Sequence, residues 1–221
     1  MTKTTSSTLP YDIAAILLVA AGLLLSFLLY DQLPDPMPTH FNVHGEADDW
    51  TSQPWGAILM PLIALATYAV MRILPGISPK NFAMEAFTNP FYKVCVMITA
   101  LVVALHIMLI WQLSQGQPGL TSTQVVAAIA VLFIGIGNYI NKATRNFFFG
   151  IRTPWALASD EVWAKTNRFG GWAFSLFGVC ALVFSVTLSG ATLVVTTISV
   201  GVILIVAIIA YSYVVHRRFE N

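Results

Sequence analysis

The sequence predicts an all-α integral membrane protein with six transmembrane helices, both termini in the cytoplasm, and a short cytoplasmic interfacial helix between helices 4 and 5. Composition is the first reason: of the 221 residues, 57% are hydrophobic and 10% are charged, whereas soluble domains carry about 25% charged residues. The mean hydropathy is +0.76. The other reasons are the length of the apolar runs and the distribution of Lys and Arg. Together they favour a multi-pass membrane protein.

Six apolar runs approach the length of about 20 residues that a bilayer crossing needs. The first is expected to be a retained helix and not a cleaved signal. The fourth is short, and Thr121–Thr123 can extend it. The last two would span about 65 Å as one helix, so Ser189-Gly190 is predicted to be a turn between them. The runs are Tyr11–Tyr30, Trp55–Leu74, Lys93–Leu113, Gln124–Ile140, Gly171–Leu188 and Leu193–Val215.

The basic residues give the orientation. With six crossings, alternate loops share a side, and all 11 Lys and Arg residues fall on the side of the two termini and of residues 75–92 and 141–170. The loops at residues 31–54, 114–123 and 189–192 contain no Lys or Arg. Because cytoplasmic loops of membrane proteins are enriched in basic residues, the first side is predicted to be cytoplasmic.

The first outer loop, Leu33–Trp50, concentrates polar side chains. Its prolines favour an extended entry, and Gly45 suits a turn with positive φ. Three interpretations remain open: a solvated loop whose side chains cap turns, a surface that contacts a peptide or other ligand, and a weak divalent-metal site. The residues concerned are Pro34, Pro36, Pro38, His40, Asn42, His44, Glu46, Asp48 and Asp49. His40 and His44 are the weak metal candidates, and no resident cofactor is predicted.

A second polar segment lies on the predicted cytoplasmic side. Thr153-Pro154 is expected to end any local helix, and Ser159 to cap a new one whose first turn holds Asp160 and Glu161. This interfacial helix would direct Val162, Trp163 and Phe169 towards lipid and Lys165 and Arg168 towards headgroups, before Gly170-Gly171 turns into span 5. The residues alone fit either a connector that binds lipid headgroups, or a docking surface for a protein or an anionic ligand.

The spans contain few polar side chains. His106 lies in the middle of span 3, where a neutral imidazole held by a hydroxyl or backbone group and a functional histidine are both open interpretations. Ser175 and Gly178 indicate close helix packing in span 5. The sequence shows no phosphate-binding glycine motif and no HExxH, and nothing in it indicates nucleic-acid binding.

The two polar segments together resemble the SdpI-type membrane immunity proteins of bacteria. The C-terminal resemblance lies in Asn138-Tyr139, Asn146, GIRTPW at Gly150–Trp155, EVW at Glu161–Trp163, Lys165-Thr166, Arg168 and Gly170-Gly171. The N-terminal resemblance, to a domain of unknown function, lies in LPDPMPTHFN at Leu33–Asn42, with Gly45 and Asp48. Two positions differ: Thr144-Arg145-Asn146 replaces an expected Lys-Pro-Asn, and Asn167 replaces an expected histidine. The expected division is an N-terminal module at residues 1–78 and an SdpI-like module at residues 79–221.

The resemblance implies immunity to a secreted peptide toxin without catalysis, and a relay of the toxin's presence to a cytoplasmic transcriptional regulator. The partners would be the peptide on the outer face, the regulator and membrane lipids. His40, Asn42, Gly45 and Asp48 would meet the peptide. The cytoplasmic signature and docking residues would be Asn138, Asn146, Gly150, Arg152, Thr153, Pro154, Trp155, Glu161, Trp163, Lys165 and Arg168. A small metal-dependent membrane hydrolase and a lipid or small-molecule permease are the alternatives.

Overall fold

The computed structural model describes residues 8–79, 84 and 87–220. Within these ranges the protein is a helical bundle with a small hairpin at one end. Two five-residue strands form that hairpin, and α5 is a single short turn of helix between two long ones. The elements are α1 (Leu9–Leu28), β1 (Met37–Phe41), β2 (Ala47–Thr51), α2 (Trp55–Ile73), α3 (Thr88–Ser114), α4 (Ser122–Ile140), α5 (Pro154–Ala158), α6 (Asp160–Thr187) and α7 (Gly190–Glu220).

The predicted helical membrane-protein class with six long apolar helices is confirmed. Six helices in the described part of the chain, all but α5, are long and apolar enough to cross a membrane. Each overlaps one predicted run. The predicted turn between the last two spans is also confirmed, since α6 ends at Thr187 and α7 begins at Gly190, whose φ of 54° suits a residue without a side chain.

The packed core places the loops at two opposite ends of the bundle. We call the end that carries β1 and β2 the hairpin end, and the other end the basic end. One buried cluster joins the hairpin to the end of α3: Met37, Leu109, Ile110, Leu113 and Leu120. A second joins the start of α1, the end of α2, the start of α3, α5, the start of α6 and the end of α7: Ala15, Tyr68, Met84, Phe87, Phe91, Tyr92, Cys95, Ala143, Ala156, Val162, Trp163 and Val215. The alternation of loops assumed for the charge argument is therefore present, while the assignment of the basic end to the cytoplasm stays a prediction.

Helices α4 and α6 approach each other closely through small residues, as Ser175 and Gly178 predict. A Cβ atom on Gly178 would lie 2.5 Å from the carbonyl oxygen of Ala130 on α4. A Cβ on Gly171 would lie 2.8 Å from the carbonyl oxygen of Gly137. Lipid gives apolar helices no hydrophobic reason to associate, so this backbone proximity is what allows their van der Waals contact.

The prediction of a separate interfacial helix that turns at Gly170-Gly171 is wrong in its geometry. Helix α6 runs without interruption from Asp160 to Thr187. Both glycines are buried inside it, because the close approach of α4 and of the loop before α5 excludes a side chain there. In membrane helices glycine serves packing as often as turning. Val162 and Trp163, expected to face lipid, are also buried.

The hairpin is a further difference from the all-α prediction. Strands β1 and β2 pair antiparallel, with Met37 opposite Thr51 and Phe41 opposite Ala47. The sequence conceals them, because the prolines around β1 remove donors and β2 is rich in acidic residues that disfavour strands. The expected turn with positive φ is present at Gly45, where φ is 82°.

A hydrogen-bonded chain connects three helices inside the N-terminal half of the bundle. Pro61 lies inside α2 and has no N–H for the carbonyl of Ala57, one helical turn earlier. The Ser26 hydroxyl of α1 donates to that carbonyl over 2.7 Å, and the Nε2 of His106 lies 2.8 Å from the same hydroxyl. The expected hydroxyl therefore lies at the Nε2 of His106, whereas the buried Nδ1 has no hydrogen-bond partner among the described residues. The Ser26 hydroxyl compensates for the backbone donor that proline lacks.

Ser26→Ala is expected to lower the free energy of unfolding by about 1 to 3 kcal/mol, because it leaves His106 and the Ala57 carbonyl without a partner. The measurement is the thermal midpoint of the detergent-solubilised protein. Ser185→Ala is the matched control, since this buried hydroxyl donates to the Leu182 carbonyl of its own helix. An equal decrease of the thermal midpoint in both variants would contradict the proposed role of Ser26 as the partner of His106 and of the Ala57 carbonyl.

Candidate functional site

The polar side chains expected to carry function lie at both ends of the bundle. At the hairpin end, Asn42 organises the turn. Its side-chain oxygen accepts from the backbone N–H groups of His44, over 2.8 Å, and of Glu46, over 3.1 Å, and its backbone N–H donates to the Glu46 carbonyl. The Gly45 N–H donates to the Asn42 carbonyl over 2.9 Å. Asn42 and Gly45 therefore set the shape of the hairpin tip.

His40 and Asp48 lie across the hairpin from each other. The His40 Nδ1 is 2.5 Å from the Asp48 carboxylate, and both side chains are largely exposed. Asp49 accepts from the backbone N–H of Trp50. No group of three or more His, Cys, Asp or Glu side chains in the described ranges is placed to hold a metal ion. The hairpin thus presents a rigid turn and an exposed imidazole–carboxylate pair.

At the basic end, the segment 138–171, which we call the signature segment, is ordered by a buried asparagine. The Asn146 side chain is completely buried. Its oxygen accepts from the N–H groups of Phe148 and Phe149, and its amide donates to the carbonyls of Thr144 and Phe149. Phe149 then stacks on Phe87 at the start of α3, with ring centroids 5.2 Å apart. The Asn146 side chain therefore supplies hydrogen-bond partners to backbone N–H and carbonyl groups of a turn that lies outside any helix.

A second buried asparagine holds the next part of the segment. Asn167, on α6, is 1% exposed. Its oxygen accepts from the Ile151 N–H over 2.7 Å, and its amide donates to the Trp163 carbonyl over 3.1 Å. Gly150 has φ 116°, and a Cβ there would lie 2.7 Å from the Asn167 oxygen. Gly150 is therefore required both by its backbone conformation and by the contact that Asn167 makes.

Trp163 and a trio of hydroxyls attach this segment to the bundle. The Trp163 indole N–H donates to the Ala143 carbonyl over 2.6 Å. The Thr153 and Ser212 hydroxyl oxygens are 2.6 Å apart, and the Thr166 hydroxyl donates to that of Ser212 over 3.1 Å. All of these side chains are buried. The part of the signature segment that precedes α6 is consequently held by hydrogen bonds to the start of α6 and the end of α7.

Two helix caps lie in the same segment. The Ser159 side chain accepts from the Val162 N–H, so the predicted N-cap of α6 is confirmed. Thr153 has extended backbone, as expected before proline, yet Pro154 begins helix α5 instead of ending one. Proline suits the first position of a helix, where no N–H is needed.

Arg145 connects the loop before α5 to α5 and α6. It donates to the Asp160 carboxylate over 2.6 Å and to the Leu157 carbonyl over 2.8 Å.

The remaining signature residues are at or near the surface. The Arg152 guanidinium donates to the Phe147 carbonyl, and the Lys165 ammonium lies 4.5 Å from the centroid of the Phe219 ring. Trp155 stacks against His216 and tilts against Tyr213 at the end of α7. The exposed members are Asn138, Arg152, Pro154, Glu161, Lys165 and Arg168. They form a surface rich in cations that is supported by the buried asparagines and hydroxyls.

A charged network near the start of α1 was not identified from the sequence. Arg72 donates to the Asp12 carboxylate over 2.9 Å, to Thr8 over 2.7 Å and to Tyr92 over 3.1 Å. Tyr68 also donates to Asp12, over 2.8 Å. Isolated charges within apolar runs gave the only signal in the sequence. The network joins α1, α2 and α3 at the basic end.

Comparison with known proteins agrees with the resemblance carried by the two polar segments. Residues 142–214 match the SdpI/YfhL protein family. Residues 17–65 match a domain of unknown function, DUF1648. The immunity protein SdpI of Bacillus subtilis (strain 168) is 26% identical over 176 residues, which are 79% of this chain and 80% of that protein. No solved structure matches the chain.

The SdpI/YfhL match spans the buried contacts of the signature segment. Asn146, Asn167 and Ser212 all lie within residues 142–214, and the hairpin lies within the DUF1648 match. Sequence reasoning identified the exposed signature residues and also Asn146, Thr153 and Trp163, which are buried. It noted Thr166 and Asn167 only as part of the resemblance, without a buried contact, and it missed Ser212. Asn167 could have been found as a polar residue one helical turn after Trp163, but Ser212 is too distant along the chain for any local pattern to connect it.

Proposed function

We propose that this protein is an immunity protein of the cytoplasmic membrane that protects its cell against a secreted peptide toxin without catalysing a reaction. The observation that carries the proposal is the relationship to an immunity protein over most of both chains. Six membrane-crossing helices with ordered polar segments at both ends are suited to a receptor that meets a ligand on one face.

In this proposal the hairpin end faces outwards and contacts the peptide. His40, Asn42, Gly45 and Asp48 form its contact surface, since the turn is rigid and the His40–Asp48 pair is exposed. The loops predicted on that side carry five carboxylates, at Asp31, Asp35, Glu46, Asp48 and Asp49, and no Lys or Arg. Such a surface attracts basic peptides and repels acidic ones.

The basic end would relay occupancy to a cytoplasmic regulator. Its exposed cations and Trp155 lie on a segment that buried asparagines hold in one conformation. A rigid surface of Arg, Lys and Trp is typical of protein interfaces, where Trp and Arg supply much of the binding energy. Movement of α6 or α7 would reposition this surface, because Ser212 and Thr166 connect both helices to it.

Immunity is tested by challenging a strain that lacks the gene, and the same strain complemented with it, with a panel of synthetic secreted antimicrobial peptides of differing net charge. We expect the complemented strain to tolerate about tenfold more of at least one peptide. Equal sensitivity of the two strains to every peptide would refute the proposal.

Asp48→Asn is expected to reduce protection, because it removes the anionic partner of His40, whereas Asp49→Asn should leave protection almost unchanged. The two substitutions remove the same charge at adjacent positions, so a difference between them isolates the His40–Asp48 pair. Survival is scored against the protecting peptide, with the amount of each variant in the membrane fraction measured by immunoblot. Full protection by Asp48→Asn would exclude a role for the pair.

A further inference from the structure

Two cavities open beside the hairpin. One, of about 680 Å³, is lined by residues from the end of α1 to β2 and by the connection between α3 and α4. We call it the acidic recess, defined by Asp31, Gln32, Trp50 and Gln117. The other, of about 520 Å³, lies between the hairpin tip and helices α4, α6 and α7. We call it the apolar groove, defined by Val125, Ile129, Phe177, Gly201 and Ile205.

The recess and the groove meet at the connection between α3 and α4. This connection lines both, with Gln117 in the recess and Thr121 in the groove. Between them the Phe41 ring rests on the backbone of Gly119, where a Cβ would lie 2.5 Å from the ring. A single extended ligand can therefore occupy both by crossing the Phe41 ring.

The recess has the chemistry of a site for a cationic group. It combines the Asp31 carboxylate, two side-chain amides and the indole of Trp50, which is 51% exposed. A carboxylate attracts an ammonium or guanidinium group, and an indole face adds a cation–π contribution. No basic residue occurs in residues 31–54 or 114–123 to compete for these groups.

The groove has the chemistry of a site for an apolar segment. Aliphatic and aromatic side chains line it almost throughout, and Ile198, Val202 and Ile205 on its α7 side are exposed. Gly201 contributes no side chain to the groove, and a Cβ placed there would meet only the Phe177 ring, at 3.5 Å. Its volume lies within the range of about 300 to 1,000 Å³ that ligand sites occupy.

We propose that the recess and the groove form one bipartite site for a cationic amphipathic peptide, with a basic residue in the recess and an apolar segment in the groove. The proposal rests on the immunity function and specifies the chemical class of the toxin. The negative charge of the hairpin end favours a cationic peptide over a lipid acyl chain as the ligand. An acyl chain would fill the groove alone, and its phosphate would be repelled by the carboxylates beside it.

The first test fills the groove. Gly201→Phe places a ring in it, and Ala104→Phe is the matched control, since Ala104 lines a separate cavity of about 350 Å³ between α3 and α4. The probe is the synthetic peptide that the complemented strain tolerates best. We expect Gly201→Phe to lower protection about tenfold or more and Ala104→Phe to preserve it. Full protection by Gly201→Phe at wild-type abundance would overturn the proposal.

The second test does not depend on the folding of a filled variant. A p-benzoylphenylalanine in place of Ile129 faces the groove, and one in place of Leu132, on the same helix, lines the other cavity. Irradiation in nanodiscs should crosslink the protecting peptide at position 129 and not at 132. Replacing the peptide's Lys and Arg by Gln, or Asp31 by Asn, should weaken the crosslink. A phospholipid crosslinked at 129 with the peptide absent would instead assign the groove to lipid.

The two levels of the proposal fail differently. If no peptide in the panel distinguishes the two strains, immunity itself fails. If the peptide that distinguishes the strains is acidic, immunity stands and the bipartite site is wrong. The same conclusion follows if Gly201→Phe still protects fully against that peptide and the peptide does not crosslink at position 129.

Discussion

Asn167→Leu is expected to destabilise the protein by about 2 to 3 kcal/mol and to disorder the segment around Ile151. The reason is that the Asn167 oxygen accepts from the Ile151 N–H and its amide donates to the Trp163 carbonyl, both in a buried site. Leucine matches asparagine roughly in size but offers neither group, and an unsatisfied buried polar group costs about 1 to 3 kcal/mol. The measurements are the thermal midpoint of the solubilised protein and the rate of limited proteolysis between α4 and α6.

Asn167→His is the informative control. The family resemblance leads us to expect histidine at this position, and a histidine Nδ1 lies near the place of an asparagine oxygen and can accept the same N–H. Gly150 leaves backbone space beside it. We expect Asn167→His to retain most of the stability that Asn167→Leu loses. Equal instability of both variants would show that packing, and not acceptance of the Ile151 N–H, decides the identity of this residue.

The contrast between Asn167 and Ser159 shows how far sequence reasoning reaches at the basic end. Ser159 was identifiable as an N-cap because caps depend on residues within three positions of each other. Asn167 acts on Ile151, sixteen positions away, and its role depends on how a loop folds back onto α6. Hydrogen bonds between distant residues have no local signature, so the contacts of Asn167 and Ser212 became visible only in three dimensions.

Hydropathy was sufficient to predict the six long helices because the bilayer imposes a length and a polarity on each segment that crosses it. The apolar environment of the bilayer does not predict whether Trp163 faces lipid or protein, and the expectation that it faces lipid was wrong. A tryptophan near a span end usually faces the headgroups, yet here its indole donates to the Ala143 carbonyl inside a buried cluster. The faces of a helix that meet protein and lipid are both apolar, and composition alone does not distinguish them.

Gly170 and Gly171 illustrate the remaining ambiguity of glycine. A glycine pair between a polar and an apolar stretch predicts a turn by soluble-protein rules. In this bundle both are buried in the middle of α6, where Gly171 faces the backbone of Gly137. The partner helix determines which role a glycine has, and that information is absent from the local sequence.

Gly178→Val should have the other large effect, because it would force α4 and α6 apart. A Cβ at this position lies 2.5 Å from the Ala130 carbonyl oxygen and 2.9 Å from the Ile134 nitrogen, and backbone atoms of a packed helix have no rotamer through which to yield. Overpacking typically costs about 1 to 3 kcal/mol, and a contact with backbone places this substitution at the upper end of that range. The measurement is the thermal midpoint, together with the yield of folded protein from membranes.

The control for Gly178 separates steric exclusion from the general cost of glycine in a helix. Gly178→Ala and Gly201→Ala make the same chemical change in the long helices α6 and α7. The added Cβ at Gly201 meets only ordinary contacts with Phe177 at 3.5 Å, so alanine there should be neutral or stabilising by up to about 1 kcal/mol through helix propensity. At Gly178 the backbone contact overrides that gain. A Gly178→Ala variant as stable as Gly201→Ala would mean that α4 and α6 can separate at little cost, and close glycine packing would then not be what holds this half of the bundle together.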